Sequence, residues 1–442
     1  MSINISDHFT LRKLLRFSIP SIVMMVFTSI YGIVDGFFIS NYVGKNEFAA
    51  INFIYPFIMI LGVVGFMVGA GGSALIGKTL GQGKKDKANS YFSLFVYFLI
   101  FISFILTIVA YIFIGDVALF LGATPAMYEY CVLYGRILIL GNVFFNLQYC
   151  FQSFYVTSGK PKLGLYATLA AGITNMVLDY LFIVVFGFGL KGAGFATMTA
   201  QVVGGSIPII YYSRNNSSLL KLGKCELDFK ALGKTLSNGS SEFVSNISMS
   251  VVSMLYNSQL LKYAGEDGVS AYGVLMFVCL VFLSIFIGLS VGTAPIISYN
   301  YGAGNKKELN NVFKKCLIVL AISAIFMFAA GELLAKPLSM IFVGYDENLL
   351  DLTISAFKLY SFSFLFAFMP IYGSSFFTAL NNGKVSAIIS FLRTCVFQII
   401  CVIVLPMFIG INGIWISTTV AELLSLLLTL YFLIRNRNYY GY

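Results

Sequence analysis

The sequence predicts an all-α membrane protein with twelve transmembrane helices in two six-helix lobes related by a parallel pseudo-two-fold repeat. Three observations support this fold class. The charged fraction is too low for a soluble globule, apolar runs long enough to cross a bilayer recur along the chain, and short motifs recur at a fixed offset.

The composition excludes an ordinary soluble protein. Of the 442 residues, 59% are hydrophobic and only 10% are charged, whereas a typical soluble domain carries roughly 25% charged residues. The N-terminal residues lead into a long apolar run without a small-residue cleavage site, so we interpret that run as a first transmembrane helix and not as a signal peptide.

Twelve apolar runs, separated by polar or glycine-rich breaks, predict twelve spans. Their approximate ranges are 14–40, 50–77, 91–115, 130–157, 163–186, 192–213, 235–261, 269–298, 314–334, 354–380, 385–408 and 412–434. Only one break is long, and it divides the chain into three parts. These are an amino-terminal lobe (1–213, the first six spans), a cytoplasmic linker (214–234) and a carboxy-terminal lobe (235–442, the last six spans).

The positions of Lys and Arg predict the orientation. Alternate breaks carry basic clusters, such as Lys84, Lys85 and Lys87, while the intervening breaks carry few basic residues and most of the acidic ones. Loops rich in Lys and Arg stay in the cytoplasm, so we expect both termini and the linker on the cytoplasmic side of a plasma (inner) membrane. The net charge of +10 is then a signature of the inner leaflet, and we expect no nucleic-acid partner.

The two halves of the chain repeat each other at an offset of 221 residues. Gly81 and Gly302 each begin a glycine-rich break after the second span of a half, and the Gly-x-x-Gly that starts at 189 recurs at 410. Thr197 and Thr418 follow that second motif. With six spans per half, both halves enter from the same side, which gives a parallel repeat of the kind found in transporters.

Four oxygen-bearing side chains of the first half form the candidate functional site. Asn175 and Asp179 are spaced to lie on one face of a helix, and helical rise places Asp35, Asp179 and Thr197 at a common depth, roughly 8–12 Å below the outer surface. A buried Asp can simply pin two helices together, but ionisable groups inside a membrane are costly and indicate function. The set Asp35, Asn175, Asp179 and Thr197 therefore predicts a coupling site, and its oxygens suit Na⁺ or a shared proton equally well.

The second half serves as an internal comparison. Adding 221 to the four site positions gives Tyr256, Val396, Ile400 and Thr418, so the hydroxyl is retained and both carboxylates are lost. A purely architectural network would be expected in both halves, and this asymmetry favours an ion site in the first.

Two further acidic residues and one proline carry weaker predictions. Glu242 in the seventh span and Glu422 in the twelfth are candidates for a substrate or secondary site, with pairing to Arg393 or Arg136 as the structural alternative. Pro20 removes a backbone hydrogen bond in the first span and is a candidate hinge, unless it only marks the start of the regular helix.

Enzymatic function is not expected. The lone histidine, His8, precedes the first apolar run, and the seven cysteines form no CxxC pair. No imidazole is therefore available within the spans for a catalytic triad or a metal site, and we expect no cofactor. Nothing repeats as an ion-selective filter, which disfavours a passive channel.

With these residues in view, the chain resembles the multidrug and toxic compound extrusion (MATE) family along essentially its whole length. The resemblance rests on motifs in this order: Ser18-Ile19-Pro20, Tyr31-Gly32-Ile33-Val34-Asp35, Gly159-Lys160-Pro161, Asn175-x-x-x-Asp179 and Gly192-Ala193-Gly194-Phe195-Ala196-Thr197. By resemblance, the four oxygen-bearing residues match the cation site of the amino-terminal lobe, Pro20 matches the bending proline, and Glu242 matches an acidic position of some members.

The resemblance implies a V-shaped antiporter that exports bulky cationic or amphipathic drug-like compounds against inward H⁺ or Na⁺. We expect it to act as a monomer within the lipid bilayer. The tenth span lacks the acidic residue of some branches, which moves the expected coupling site to the amino-terminal lobe. The alternative is a lipid-linked saccharide flippase of related fold, for which a strongly cationic cavity would be expected.

Overall fold

The computed structural model describes residues 3–344 and 346–442, without the side chains of residues 45 and 46. Every regular element in these residues is helical. The spans, in order, are Leu11–Tyr42, Lys45–Gly81, Lys85–Leu121, Pro125–Leu140 with Asn142–Thr157, Pro161–Val185, Gly189–Ser213, Phe229–Gly302 (the seventh and eighth together), Lys306–Val343, Glu347–Ser361 with Phe364–Ala379, Gly383–Ile409 and Ile411–Tyr440.

The helix Phe229–Gly302 is two spans. Its 74 residues would extend about 110 Å at the helical rise, more than three times the hydrocarbon thickness. Gly265 breaks it with φ 63° and ψ −152°, a conformation open to glycine. Counting each bent helix pair as one span gives eleven in the described residues, and the division at Gly265 raises this to the predicted twelve.

The fourth and tenth spans are broken, which the apolar pattern does not predict. The fourth bends by 57° between Leu140 and Asn142, and the tenth bends by 51° between Ser361 and Phe364. Several helices begin where the sequence supplies a cap. Asn305, for example, accepts a hydrogen bond from the Glu308 N–H at 3.1 Å.

The two ends of the described chain, the linker and the ends of the spans at Gly81 and Gly302 lie on one face of the bundle, which we call the basic face. The two lobes approach each other most closely in the half of the bundle next to this face. A Cβ on Gly81 would meet the carbonyl of Tyr299, and a Cβ on Gly302 would meet the carbonyl of Lys78, in both cases far inside contact distance.

These two contacts are related by the repeat, because Tyr299 and Lys78 are themselves 221 residues apart. A third close approach lies farther from the basic face. There, a Cβ on Gly288 of the eighth span would lie 2.5 Å from the Ile22 Cα of the first span. Glycines thus allow the backbones of the two lobes to touch, and the contacts follow the predicted pseudo-two-fold relation.

The segment before the first span docks on the second lobe. Glu308, at the start of the ninth span, accepts the Phe9 backbone N–H at 2.9 Å and lies 2.6 Å from His8 Nδ1. Asn311 and Lys315 donate to the Phe9 carbonyl at 3.0 and 2.6 Å. Phe9 is fully buried in the core of the second lobe. The N-terminal segment therefore links the two lobes at the basic face.

Candidate functional site

The four predicted site residues lie on three spans of the first lobe. Asp35 is seven residues before the end of the first span at Tyr42, Asp179 is six residues before the end of the fifth at Val185, and Thr197 is eight residues after the start of the sixth at Gly189. Helical rise converts these spacings to roughly 9–12 Å from the face opposite the basic face. The shared depth is the one expected from the sequence.

Glycines bring these spans together. A Cβ on Gly172 of the fifth span would lie 2.5 Å from Phe27 Cε1 and 3.0 Å from Tyr31 Cδ1 of the first span. Asn175 and Asp179 follow Gly172 along the fifth span, and Asp35 follows Tyr31 by one turn. A close helix approach one to two turns below the site therefore places the carboxylates beside each other.

Asp35 faces both Asp179 and Asn175. Asp179 is completely buried and Asn175 is 2% exposed, while Asp35 and Thr197 are partly buried. Five buried polar atoms of these residues have no hydrogen-bond partner of good geometry among the described residues: Asp35 Oδ1, Asn175 Nδ2, both carboxylate oxygens of Asp179, and Thr197 Oγ1. Buried polar groups are nearly always satisfied, so such a concentration points to a site that takes a ligand or a proton.

The fifth span changes its helical form directly after Asp179. Residues Tyr180–Val185 are π-helical, a wider winding that is frequent at functional sites. In the sixth span, a Cβ on Gly194 would lie 3.1 Å from Ile137 Cγ2 of the fourth span, which draws those two helices together one turn from Thr197.

Tyr134 of the fourth span is a member of the site that sequence reasoning missed. It is 1% exposed, lies beside Thr197, and is within electrostatic reach of Asp35 and Asp179. Nothing in the sequence separates it from the other tyrosines among the 27 in the chain. Only the packing of the fourth span on the sixth brings its hydroxyl beside Thr197.

The arrangement can hold a small cation or share a proton. Carboxylate, amide and hydroxyl oxygens are ligands for hard cations. Two adjacent buried carboxylates cannot both stay ionised unless positive charge is supplied between them, because desolvation and mutual repulsion both oppose it. A proton or a small cation between the carboxylates would remove this cost, and the oxygen chemistry suits H⁺ and Na⁺ alike.

The MatE family model matches residues 20–181 and, a second time, residues 243–404. The chain belongs to the MatE family. The double match divides the chain into the same two halves as the 221-residue repeat. The chain is also 24% identical over 435 residues to the multidrug export protein MepA of Staphylococcus saprophyticus, covering 96% of this chain and 94% of that protein.

Solved MATE structures share the fold of this chain from end to end. A MATE protein crystallised in complex with MaL6 superposes with a TM-score of 0.93, at 20% identity and with 98% of each chain covered. A multidrug resistance MATE transporter in an outward-facing conformation superposes with a TM-score of 0.90, again at 20% identity and 98% coverage of each chain. Together with the family match and the similarity to MepA, this fold identifies the chain as a multi-pass membrane transporter.

The remaining candidate residues of this MatE protein lie apart from the four-residue site. Glu242 lies in the half of the bundle next to the basic face, at a small cavity of about 40 Å³ between the lobes. The cavity is lined by Ser73 and Ser153 from the first lobe and by Thr378 from the second. Glu242 takes part in no ion pair of the described residues, so it remains a candidate for a secondary site.

Glu422 is engaged in a structural ion pair. Arg393 Nη2 donates to its Oε1 at 2.8 Å and Arg393 Nε donates to its Oε2 at 2.9 Å, with the two side chains 18% and 5% exposed. A bidentate pair of this kind satisfies both partners. Of the two alternatives for Glu422, the structure favours pairing and not a substrate site. Arg136 instead stacks on Tyr111, with its guanidinium carbon 5.3 Å from the ring centre.

Pro20 is buried inside the continuous helix Leu11–Tyr42. The neighbouring hydroxyls of Ser18 and Ser21 are buried and have no partner among the described residues. In this conformation the first span is helical through Pro20, and its role as a hinge stays a prediction.

The equivalent position in the second lobe is filled by a satisfied hydrogen-bond network. The Tyr256 hydroxyl donates to Gln398 Oε1 at 2.9 Å and lies 3.0 Å from Thr418 Oγ1. Tyr256 and Thr418 are the repeat partners of Asp35 and Thr197. The second lobe thus has a hydrogen-bonded tyrosine and threonine at these positions and lacks the two carboxylates.

Proposed function

We propose that the protein exports bulky cationic or amphipathic compounds from the cell in exchange for inward H⁺ or Na⁺, and that Asp35, Asn175, Asp179 and Thr197 form the coupling site. The observation that carries the proposal is the cluster of buried carboxylate, amide and hydroxyl atoms without partners. The full-length similarity to proteins named multidrug export protein MepA supports drug-like compounds as the substrate class.

The basic face is cytoplasmic in this proposal, because its breaks carry most of the Lys and Arg residues. The site then lies near the external surface, where an incoming cation reaches it first. The lobes are in contact next to the basic face, so the conformation corresponds to a cytoplasmic side that is closed. Binding of H⁺ or Na⁺ neutralises the site and allows the first span to rearrange near Pro20, which lowers the affinity for the exported compound.

The driving force is sufficient for a useful gradient. One elementary charge that moves down a potential of 100 mV supplies about 2.3 kcal/mol. This corresponds to roughly a fifty-fold concentration ratio of the exported compound, since each 1.4 kcal/mol is tenfold.

The flippase alternative receives no support from the embedded basic residues. A diphosphate group would need unpaired cations in a central cavity. Among the described residues, the Arg393 guanidinium is occupied by Glu422, Arg136 stacks on Tyr111 at an exposed position, and Lys358 is exposed near the end of a short helix. The cluster between the spans of the first lobe is acidic.

The test is transport in liposomes that contain the purified protein and a cationic dye. A sodium gradient and a pH gradient are applied in separate experiments, with Asp179→Asn and a matched exposed control, Asp116→Asn. We expect one gradient to drive dye movement in the wild type and in Asp116→Asn, and neither to drive it in Asp179→Asn. Gradient-driven transport at the wild-type rate in Asp179→Asn would refute the assignment of the coupling site.

A further inference from the structure

An open groove of about 540 Å³ lies at the basic face between the start of the fifth span and the end of the sixth. This volume is within the range of small-molecule sites, roughly 300–1,000 Å³. The groove is far from the four-residue site, which is near the opposite face. Its lining residues come from the first lobe and from the start of the linker, and none comes from the second lobe, so the groove does not depend on the contact between the lobes.

The part of the groove that faces the membrane is apolar. Leu163 lies in the first turn of the fifth span, and Ile207, Ile210 and Tyr211 lie in the last two turns of the sixth. Ile210 is 52% exposed, although it is a large aliphatic side chain. The final turns of a spanning helix lie where the hydrocarbon meets the headgroups. The apolar wall is therefore positioned to contact the upper part of an acyl chain.

The rim of the groove is basic and polar. Arg214, Asn215, Asn216 and Ser217 line it, and Lys160 Nζ donates to Ser217 Oγ at 3.0 Å. No acidic residue is among the lining residues. Neither Arg214 nor Lys160 takes part in an ion pair within the described part of the chain. Two cations are thus available at the level where lipid phosphates lie.

The rim is held in place by its own hydrogen bonds. Asn216 Nδ2 donates to the carbonyls of Tyr211 and Arg214 at 3.3 and 3.1 Å, and its Oδ1 accepts the Ser218 N–H at 3.0 Å. The Leu219 N–H then donates to the Ser158 carbonyl at 3.2 Å. The loop after the sixth span is therefore fixed against the break before the fifth span, and the groove is preformed.

We propose that this groove binds one anionic phospholipid from the leaflet next to the basic face. Its phosphate contacts Arg214 and Lys160, and one acyl chain runs along Leu163, Ile207 and Ile210. Basic pockets between spanning helices are suited to anionic headgroups. Free inorganic phosphate would satisfy the rim but would leave the apolar wall exposed, so the combination of the two surfaces specifies a lipid.

The groove is formed by the two spans that carry Asp179 and Thr197 at their other ends. The proposed lipid therefore contacts both of the spans that carry these two residues.

The test is native mass spectrometry of the full-length protein in detergent, titrated with phosphatidylglycerol or phosphatidylcholine. The variant Arg214→Gln/Lys160→Gln is compared with Lys84→Gln/Lys85→Gln, which removes the same charge at exposed positions of another break on the same face. Each cation near an anionic headgroup contributes about a fivefold factor in affinity. We expect the first variant to bind phosphatidylglycerol about thirtyfold more weakly, and the control variant to match the wild type.

A second variant, Ile210→Trp, fills the apolar part and keeps both cations. We expect this variant to lose bound phosphatidylglycerol as well. In a separate experiment on the wild type, we expect that inorganic phosphate at millimolar concentration does not displace the lipid. Equal losses in the groove variant and the Lys84/Lys85 control would overturn the proposal. So would equal binding of the two lipids, or displacement of the lipid by inorganic phosphate, because either result shows that the site does not select an anionic lipid. None of these readouts depends on transport activity.

Discussion

Replacement of Gly302 by alanine tests whether glycine contacts hold the two lobes together at the basic face. A Cβ on Gly302 would meet the Lys78 carbonyl oxygen, carbon and Cα, all of which are backbone atoms. Real Cβ atoms essentially never approach within 3.0 Å of such atoms. The eighth span must therefore move away from the second span by about 1 Å. Gly81→Ala produces the same conflict with Tyr299 on the other side of the pseudo-two-fold axis.

The energetic cost follows from overpacking. Extra methyl groups in a well-packed contact cost about 1–3 kcal/mol, and this cost falls only on the conformation in which the lobes touch. The ratio of closed to open molecules at the basic face should then fall by about 5- to 150-fold. Gly233→Ala is the matched control, since it lies in a helix on the same face and its Cβ would meet no atom within 4 Å.

The measurement is a distance distribution between spin labels at Lys84→Cys and Lys307→Cys, one exposed position on each lobe, after replacement of the native cysteines by serine. We expect longer distances to gain population in Gly302→Ala and in Gly81→Ala, and a distribution like the parent's in Gly233→Ala. Identical distributions in Gly302→Ala and Gly233→Ala would show that the close approach does not control closure of the lobes.

Two further predictions concern contacts away from the site. Arg393→Gln leaves the Glu422 carboxylate buried without its partner, so the free energy of unfolding in detergent should fall by about 3–5 kcal/mol. The double variant with Glu422→Gln should recover much of this loss. If the losses of the two single variants simply added in the double variant, the ion pair would not be the cause. Glu308→Ala removes the acceptor of the Phe9 N–H. Hydrogen exchange at the Phe9 amide should then accelerate by about 5- to 150-fold, since an unsatisfied group costs about 1–3 kcal/mol. Unchanged exchange at the Phe9 amide would mean that the N-terminal segment is held by its buried side chains alone.

The sequence predicts the spans and the depth of the site because both depend on local quantities. An apolar run of sufficient length has few alternatives to a transmembrane helix, and the fixed rise per residue converts sequence spacing into depth. The twelve spans are confirmed. The side-chain assignments at the coupling site stay a prediction, although the structure places the four residues on neighbouring spans at one level.

Features that depend on tertiary packing were not predicted. The bends of the fourth and tenth spans occur within apolar sequence that also suits a straight helix, and the π-helical winding after Asp179 has no signature in composition. Tyr134 reaches the site only because its helix packs on the sixth span. The hydrogen bond from Phe9 to Glu308 joins residues 299 positions apart. Such contacts have no local sequence signal, because the partners meet only in the assembled bundle.

The comparison of the two lobes explains why we assign coupling to the first. In the second lobe, Tyr256 of the first span lies against Thr418 of the sixth span. In the first lobe, the equivalent residue Asp35 faces Asn175 and Asp179 of the fifth span. In the second lobe the phenol satisfies its neighbours through hydrogen bonds to Gln398 and Thr418, so the network is complete without any ion. In the first lobe, Asp35 Oδ1 and both carboxylate oxygens of Asp179 are buried without a hydrogen-bond partner among the described residues. A complete network has no reason to bind a cation, whereas buried carboxylates gain from every proton or cation that enters. The two lobes therefore differ in the polar satisfaction of these positions, and it is the first lobe whose carboxylate oxygens gain from a proton or a cation.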